Sequence, residues 1–249
     1  MKFLGVAALA AAALIPSAAA GGGPAAALGV SPLRLELKGT TPSAITVRNP
    51  TARPLVVTVS RAGFARTLRG KPRIKAARGA AGWLLVRPHR RLLAPHSTAS
   101  FRVTAAPPTR ARPGDHPALV LLATRPPADE QVHVLLRVGV VVLVRVPGTI
   151  VHQLVPQALS VHRKGAARMF SLRLANRGNV AERLGASRLH LVLMRRGART
   201  QTLRAHRLEI LPHSAGIAQF VYRGRLRGPV FARVVLQKGP VRTFHVTIP

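Results

Sequence analysis

The chain has 249 residues, 39 Lys and Arg against 6 Asp and Glu, 47% hydrophobic residues and no Cys. The apolar content can fill a core and argues against wholesale disorder, while the absence of Cys excludes a disulfide scaffold, thiolate metal sites and a Cys nucleophile. A formal net charge of +33 attracts polyanions such as nucleic acid, an anionic membrane surface or phosphate-bearing wall polymer, although many Arg alternate with apolar residues as on a solvated sheet face.

Residues 1–20 read as a signal peptide. Lys2 is followed by the apolar stretch Phe3 to Ile15, then Pro16 and the small residues Ser17 to Ala20. An uncleaved anchor is the alternative, although the stretch is short for a bilayer span. Residues 21–29 read as a flexible leader. Ser31 to Leu37 then shows a period of two, with Leu33, Leu35 and Leu37 on one face and Arg34 and Glu36 on the other. Ile45 and Val47 share a face, a turn covers 49–54, and Leu55 to Val59 continues, which together predict a hairpin. Trp83 to Val86, Ser100 to Ala105, Ala118 to Ala123 and Gln131 to Val146 are further strands. The last of these is expected to be interior, although a free edge would let it pair with a partner's strand. Seven or so strands without a convincing helix predict an immunoglobulin-like sandwich over 30–147.

A second such sandwich is expected over 148–249, with Pro147-Gly148-Thr149 as the boundary. Its strands are Ala158 to His162, Met169 to Leu174, Leu189 to Met194, Gln219 to Tyr222, Val230 to Val235 and Val241 to Ile248. The halves share two marks. An Asn-led turn begins at Asn49 and again at Asn176. A Pro-His-Ser turn occurs at Pro95-His96-Ser97 and again at Pro212-His213-Ser214. The fold class is therefore all-β, two tandem immunoglobulin-like β-sandwiches.

The order Val30-Ser31-Pro32-Leu33-Arg34-Leu35, Val47-Arg48-Asn49-Pro50, Trp83 to Pro88, Leu93-Ala94-Pro95 and Pro113-Gly114-Asp115-His116, followed by the long strand to Val146, resembles the family that includes the periplasmic pilus chaperones. It is similar above all to the secreted WxL-interacting proteins, whose first domain is described as peptidoglycan-binding. The resemblance implies a partner-gripping Arg on the first strand, which Arg34 matches. The family's Lys on the last strand has no counterpart here, and Arg137 and Arg145 are the nearest substitutes. The WxL-interacting type carries a membrane helix and basic tail after its second domain. This sequence reads Thr247-Ile248-Pro249 there, so anchoring by that route is not expected.

The densest basic segment holds Arg61, Arg66, Arg69, Lys71, Arg73, Lys75 and Arg78. It reads as a cationic loop between strands, able to grip an anionic polymer through bidentate guanidinium contacts or simply solvated. Arg87, Arg90 and Arg91 extend the candidate surface. No His pair has metal-ligand spacing, and no nucleophile elbow or phosphate loop occurs, so neither metal, cofactor nor catalysis is expected. Sparse aromatics argue against specific nucleic-acid binding. The sequence thus predicts an exported, non-enzymatic envelope protein that binds wall polymer or another surface protein. The alternative is a chaperone-like carrier that pairs a strand edge with a secreted or pilus-like subunit.

Overall fold

A computed structural model describes residues 28–125, 136–237 and 239–249. The signal segment, residues 131–135 with His133, and Lys238 lie outside these. In chain order the first half contains β1 (Gly29–Ser31), β2 (Arg34–Lys38), β3 (Ser43–Arg48), β4 (Leu55–Arg66), β5 (Pro72–Lys75), the single helical turn α1 (Ala80–Trp83), β6 (Leu84–Arg87), β7 (Arg90–Leu93), β8 (Thr98–Ala105), β9 (Gly114–Arg125) and β10 (Leu136–Val146). The second contains β11 (Leu154–Lys164), β12 (Ala167–Asn176), β13 (Glu182–Leu184), β14 (Leu189–Met194), β15 (Gln201–Arg204), β16 (Leu208–Ile210), β17 (Ser214–Tyr222), β18 (Gly228–Leu236) and β19 (Arg242–Ile248).

Strand pairing keeps the halves apart. Sheets β1-β3-β8-β6 and β2-β10-β9-β4-β5 face each other in the first, with β7 also on β4. The second is built from β11-β12-β17, β13-β16 and β15-β14-β18-β19. Alternation fixes what lies between the sheets. Ile45, Val47, Phe101, Val103, Val120, Leu122, Val140, Val142 and Val144 are buried in the first core. Phe170, Leu172, Leu174, Leu189, Leu191, Leu193, Phe220 and Val234 are buried in the second. Burying one such side chain contributes roughly 1.5–3 kcal/mol before ordering costs. The near-continuous apolar runs of β9 and β10 have a further cause. Their opposite faces, at Leu119, Leu121 and Leu143, pack with Ala62, Phe64 and Leu211 in a third cluster. Leu211 belongs to the second half, so that cluster joins the two sandwiches.

The two expected Asn turns form in both sandwiches with the same wiring. Asn49 Nδ2 donates to the carbonyls of Arg53, Leu93 and Ala94 at 2.7, 3.3 and 3.0 Å. Asn176 Nδ2 donates to those of Val180, Ile210 and Leu211 at 2.7, 3.2 and 3.2 Å. Both side chains are buried. The Pro-His-Ser turn also recurs in geometry: His96 and His213 have φ of 55° and 50°, in the left-handed region.

Four details differ from the sequence reading. Residues 31–37 do not form one strand. The chain leaves β1 at Pro32 and crosses to the other sheet as β2, which leaves Leu33 59% exposed while Leu35 and Leu37 stay buried. The segments around Ile45 and Leu55 are not a hairpin. β3 pairs with β1 and β8, β4 pairs with β5, β7 and β9, and the 49–54 turn passes between sheets. The sandwich begins before Val30, since Leu28 is buried in the first core and Gly29 opens β1. The basic segment 61–78 is not a loop but a β-hairpin, with Phe64 opposite Ile74 and Arg66 opposite Pro72.

Candidate strand-pairing edge and interdomain cleft

β10 has two different halves. It pairs antiparallel with β9 along its whole length, Leu136 opposite Thr124 through Val146 opposite Gly114. On its other side β2 covers only Val141 to Arg145. The expectation of an interior strand therefore holds for the second half alone. Among the described residues, no strand pairs with Leu136–Val140 on that side. Val141 N–H donates to Leu33 O at 3.0 Å, and Arg145 O accepts from Gly39 N–H at 3.4 Å, so the odd residues of β10 direct their backbone groups towards β2. By the same alternation Arg137 and Gly139 direct theirs at the uncovered stretch. Both are exposed, while Val138 and Val140 pack into the first core. An uncovered strand edge of this kind is a template for another strand.

Arg34 and Arg145, singled out with Arg137 as partner-gripping residues, are both already engaged. The Arg34 guanidinium binds Glu209 of β16 and lies 3.2 Å from Glu36. Arg66, at the end of β4, donates to Glu209 Oε2 through Nε and Nη2 at 3.1 and 2.8 Å. Arg183 of β13 lies 3.6 Å from Glu209 and donates to Glu36 at 2.8 Å. Glu209 is thus clamped by cations of both sandwiches in a cleft of about 490 Å³, which Leu33, Val141, Arg188 and Arg207 also line. Its side chain is only 11% exposed, and Arg34 Nε is buried without a hydrogen-bond partner among the described residues.

Arg145 sits at the covered end of β10 and forms a two-pronged ion pair with buried Asp115, whose Oδ2 accepts from Arg145 Nη2 at 2.9 Å. That bond, opposed in part by burial, raises the Arg145 pKa above the ordinary arginine value, with further support from the charges of Asp115 and Glu36. Asp115 Oδ2 also accepts Ala181 N–H at 2.8 Å. Asn179 donates to the carbonyls of Pro113 and Thr149 at 3.0 and 2.8 Å. The Gly114–Asn179 approach is so close that a Cβ on Gly114 would lie 2.2 Å from Asn179 O, at a glycine φ of 118°. Arg145 therefore serves the joint between the sandwiches.

The expected polyanion surface is divided. Arg61 donates to Leu84 O and Arg66 holds Glu209. Arg69, Lys71, Arg73, Lys75 and Arg78 are exposed. The hairpin tip rests on the second sandwich, where Ile217 N–H donates to Leu68 O at 2.7 Å. Arg90 and Arg91 are exposed on β7, opposite Thr58 and Val57 at the far end of β4. From Thr58 to Ala65, the partner of Arg73, is about 23 Å along the strand. Arg87 is exposed in the other sheet, opposite Arg102. Sequence reasoning missed Glu209, Arg183, and the Glu182 carboxylate held by His152 and Arg188 at 2.6 and 2.9 Å. Their one signal was scarcity, since a buried acid in so basic a chain has many cations to choose from. Among the described residues no group of three or more potential metal ligands gathers.

No family model matches the chain, and no curated protein matches it. Solved structures do. A chaperone–tip adhesin complex of CFA/I fimbriae biogenesis aligns over 89% of this chain and 99% of its own, at 12% identity and a TM-score of 0.52. The class 5 fimbriae chaperone CfaA covers 90% and 99% at 12% identity and a TM-score of 0.49. The Salmonella enterica SafA pilin in complex with the SafB chaperone covers 90% and 97% at 14% and 0.48. The likeness to the first is one of fold alone: two tandem immunoglobulin-like sandwiches. The comparisons give the peptidoglycan-binding side of the resemblance no support.

Proposed function

We propose that the chain is an exported, non-enzymatic chaperone-like carrier that pairs the uncovered half of β10 with a strand of a secreted or pilus-like subunit. The observation that carries this reading is the one-sided pairing of Leu136–Val140, with Arg137 and Gly139 presenting backbone donors and acceptors beside a covered continuation of the same strand. A joining strand gains main-chain hydrogen bonds from such an edge and specificity from alternate side chains. Export rests on the apolar N-terminal segment, and the fold neighbour described as a chaperone–tip adhesin complex supports the same reading. The wall-polymer alternative draws on the basic hairpin, whose tip, at Arg66 and Leu68, is engaged with the second sandwich.

The experiment is photocrosslinking in the exporting cell. A crosslinker at Arg137 or Gly139 should capture one defined exported subunit, and one at exposed Arg102 of β8 should not. Arg137→Pro removes an outward N–H while leaving the β9 ladder intact, and should abolish capture with the fold retained. Equal capture from Arg102, or capture that survives Arg137→Pro, would overturn the reading.

A further inference from the structure

We propose that the end of the second sandwich remote from the first docks on an anionic phospholipid surface. This goes beyond the carrier reading and does not rest on it. Three turns meet at that end: 165–166 between β11 and β12, 195–200 between β14 and β15, and 223–227 between β17 and β18. Register brings them together, since Arg168 lies opposite Tyr222 and Met194 opposite Phe231, and Arg195 Nη1 donates to Arg227 O at 2.6 Å. The first sandwich meets the opposite end of these strands, where Asn176 faces Ser214.

Charge is divided between the two ends. Glu36, Asp115, Glu182 and Glu209, the side-chain carboxylates among the described residues, all lie at the junction and are all ion-paired there, while at the remote end Pro249 O accepts from Arg168 Nε at 3.0 Å. The remote end holds Arg195, Arg196 and Arg199 on one turn and Arg223, Arg225 and Arg227 on the next, all exposed. The bonds that position these guanidinium groups run to main-chain oxygens. Besides the Arg195 bond, Arg227 Nη1 donates to Leu226 O at 2.9 Å, and nearby Arg163 Nε donates to Gly165 O at 3.3 Å. Such bonds fix a cation without neutralising it. Beneath the turns, buried Arg168 is held below the ordinary arginine value, first by burial and then by repulsion from Arg227 and Arg163.

This arrangement is made for phosphate. Arg195, Arg199 and Arg225 rim a hollow of about 320 Å³ floored by Tyr222, and guanidinium groups grip phosphate oxygens bidentately. The cations cover the end of a domain, and a lipid surface can meet all three turns at once while β10 and the cleft stay free. The turns themselves carry no aromatic residue, Tyr222 beneath them is buried, and the nearby exposed Phe231 packs edge-on against His245, so little is offered for the base stacking that strengthens single-stranded nucleic-acid binding.

The test is cosedimentation of the full chain with vesicles of pure phosphatidylcholine, and of phosphatidylcholine with about 40% phosphatidylglycerol, reading the gain in partition that the anionic lipid gives. Arg196→Gln, Arg199→Gln, Arg223→Gln and Arg225→Gln together remove four guanidinium groups that make no hydrogen bond within the described residues. A matched variant removes four exposed charges of the first sandwich: Arg48→Gln, Arg102→Gln, Arg110→Gln and Arg112→Gln. The remote-end variant should lose roughly ten-fold or more of the gain, since each basic residue near an anionic surface contributes, and the matched variant less than about three-fold. Equal losses would overturn the proposal by making the attraction diffuse. So would turn-dependent binding of inorganic phosphate or of a 20-nucleotide DNA without a vesicle gain.

Discussion

Asn49 and Asn176 perform the same work in the two sandwiches, each tying, from a buried position, two carbonyls that lead into its Pro-His-Ser turn to one carbonyl of its own Asn-led turn. Beyond these turns the sandwiches diverge. After Asn49 the chain runs through a twelve-residue β4 into the basic β5 hairpin. After Asn176 it passes through the three-residue β13. Both additions end at the junction. The hairpin brings Arg66 and Leu68 against the second sandwich, and β13, with its partner β16, presents Arg183 and Glu209 to the first. A shared turn thus sets each fold, and the unshared segments set how the folds are joined.

The largest effect should come from the shared part. Asn49→Ala and Asn176→Ala each strand buried carbonyls, and each should cost on the order of 3 kcal/mol in denaturant unfolding. Similar losses at both sites mark one device used twice, and a neutral result at either would break the equivalence. Glu209→Gln acts on the unshared part. It leaves three guanidinium groups around a neutral amide and should cost about 1 kcal/mol, a modest figure because the cations are partly solvated. Its clearer readout is small-angle scattering, where the distribution of interdomain distances should broaden while each sandwich keeps its circular dichroism. Leu33→Ser should change stability by less than about 0.5 kcal/mol, against roughly 2–5 kcal/mol for Leu37→Ala four residues on. A large loss at Leu33 would restore it to the core.

The two-sandwich fold was readable because alternation is a local signal. Ile45 and Val47, Phe101 and Val103, and Leu189 to Leu193 each report their face directly. The repeated Asn and Pro-His-Ser turns were readable because turn chemistry is local too. Sheet membership was not. The pattern Leu33, Leu35, Leu37 looks continuous, and only the crossing at Pro32 shows that the chain changes sheets. Segment 61–78 read as a loop because its charges and Gly-Lys-Pro interrupt the pattern, whereas pairing of Ala65 with Arg73 depends on where the chain returns. The clamp on Glu209 joins residues 175 positions apart, and no periodicity encodes that. Arg137 was readable as a candidate by type, but its role at an uncovered edge depends on how far β2 reaches along β10.

Residue-resolved hydrogen exchange along β10 tests the strand-pairing reading most directly. The amides of Arg137 and Gly139 should exchange at nearly unprotected rates, while Val138 and Val140, bonded to β9, and Val141 and Leu143, bonded to β2, stay protected. A bound partner strand should then slow Arg137 and Gly139 selectively. Protection of Arg137 and Gly139 equal to that of Val141 in the free protein would mean the edge is already covered, and would contradict the carrier role.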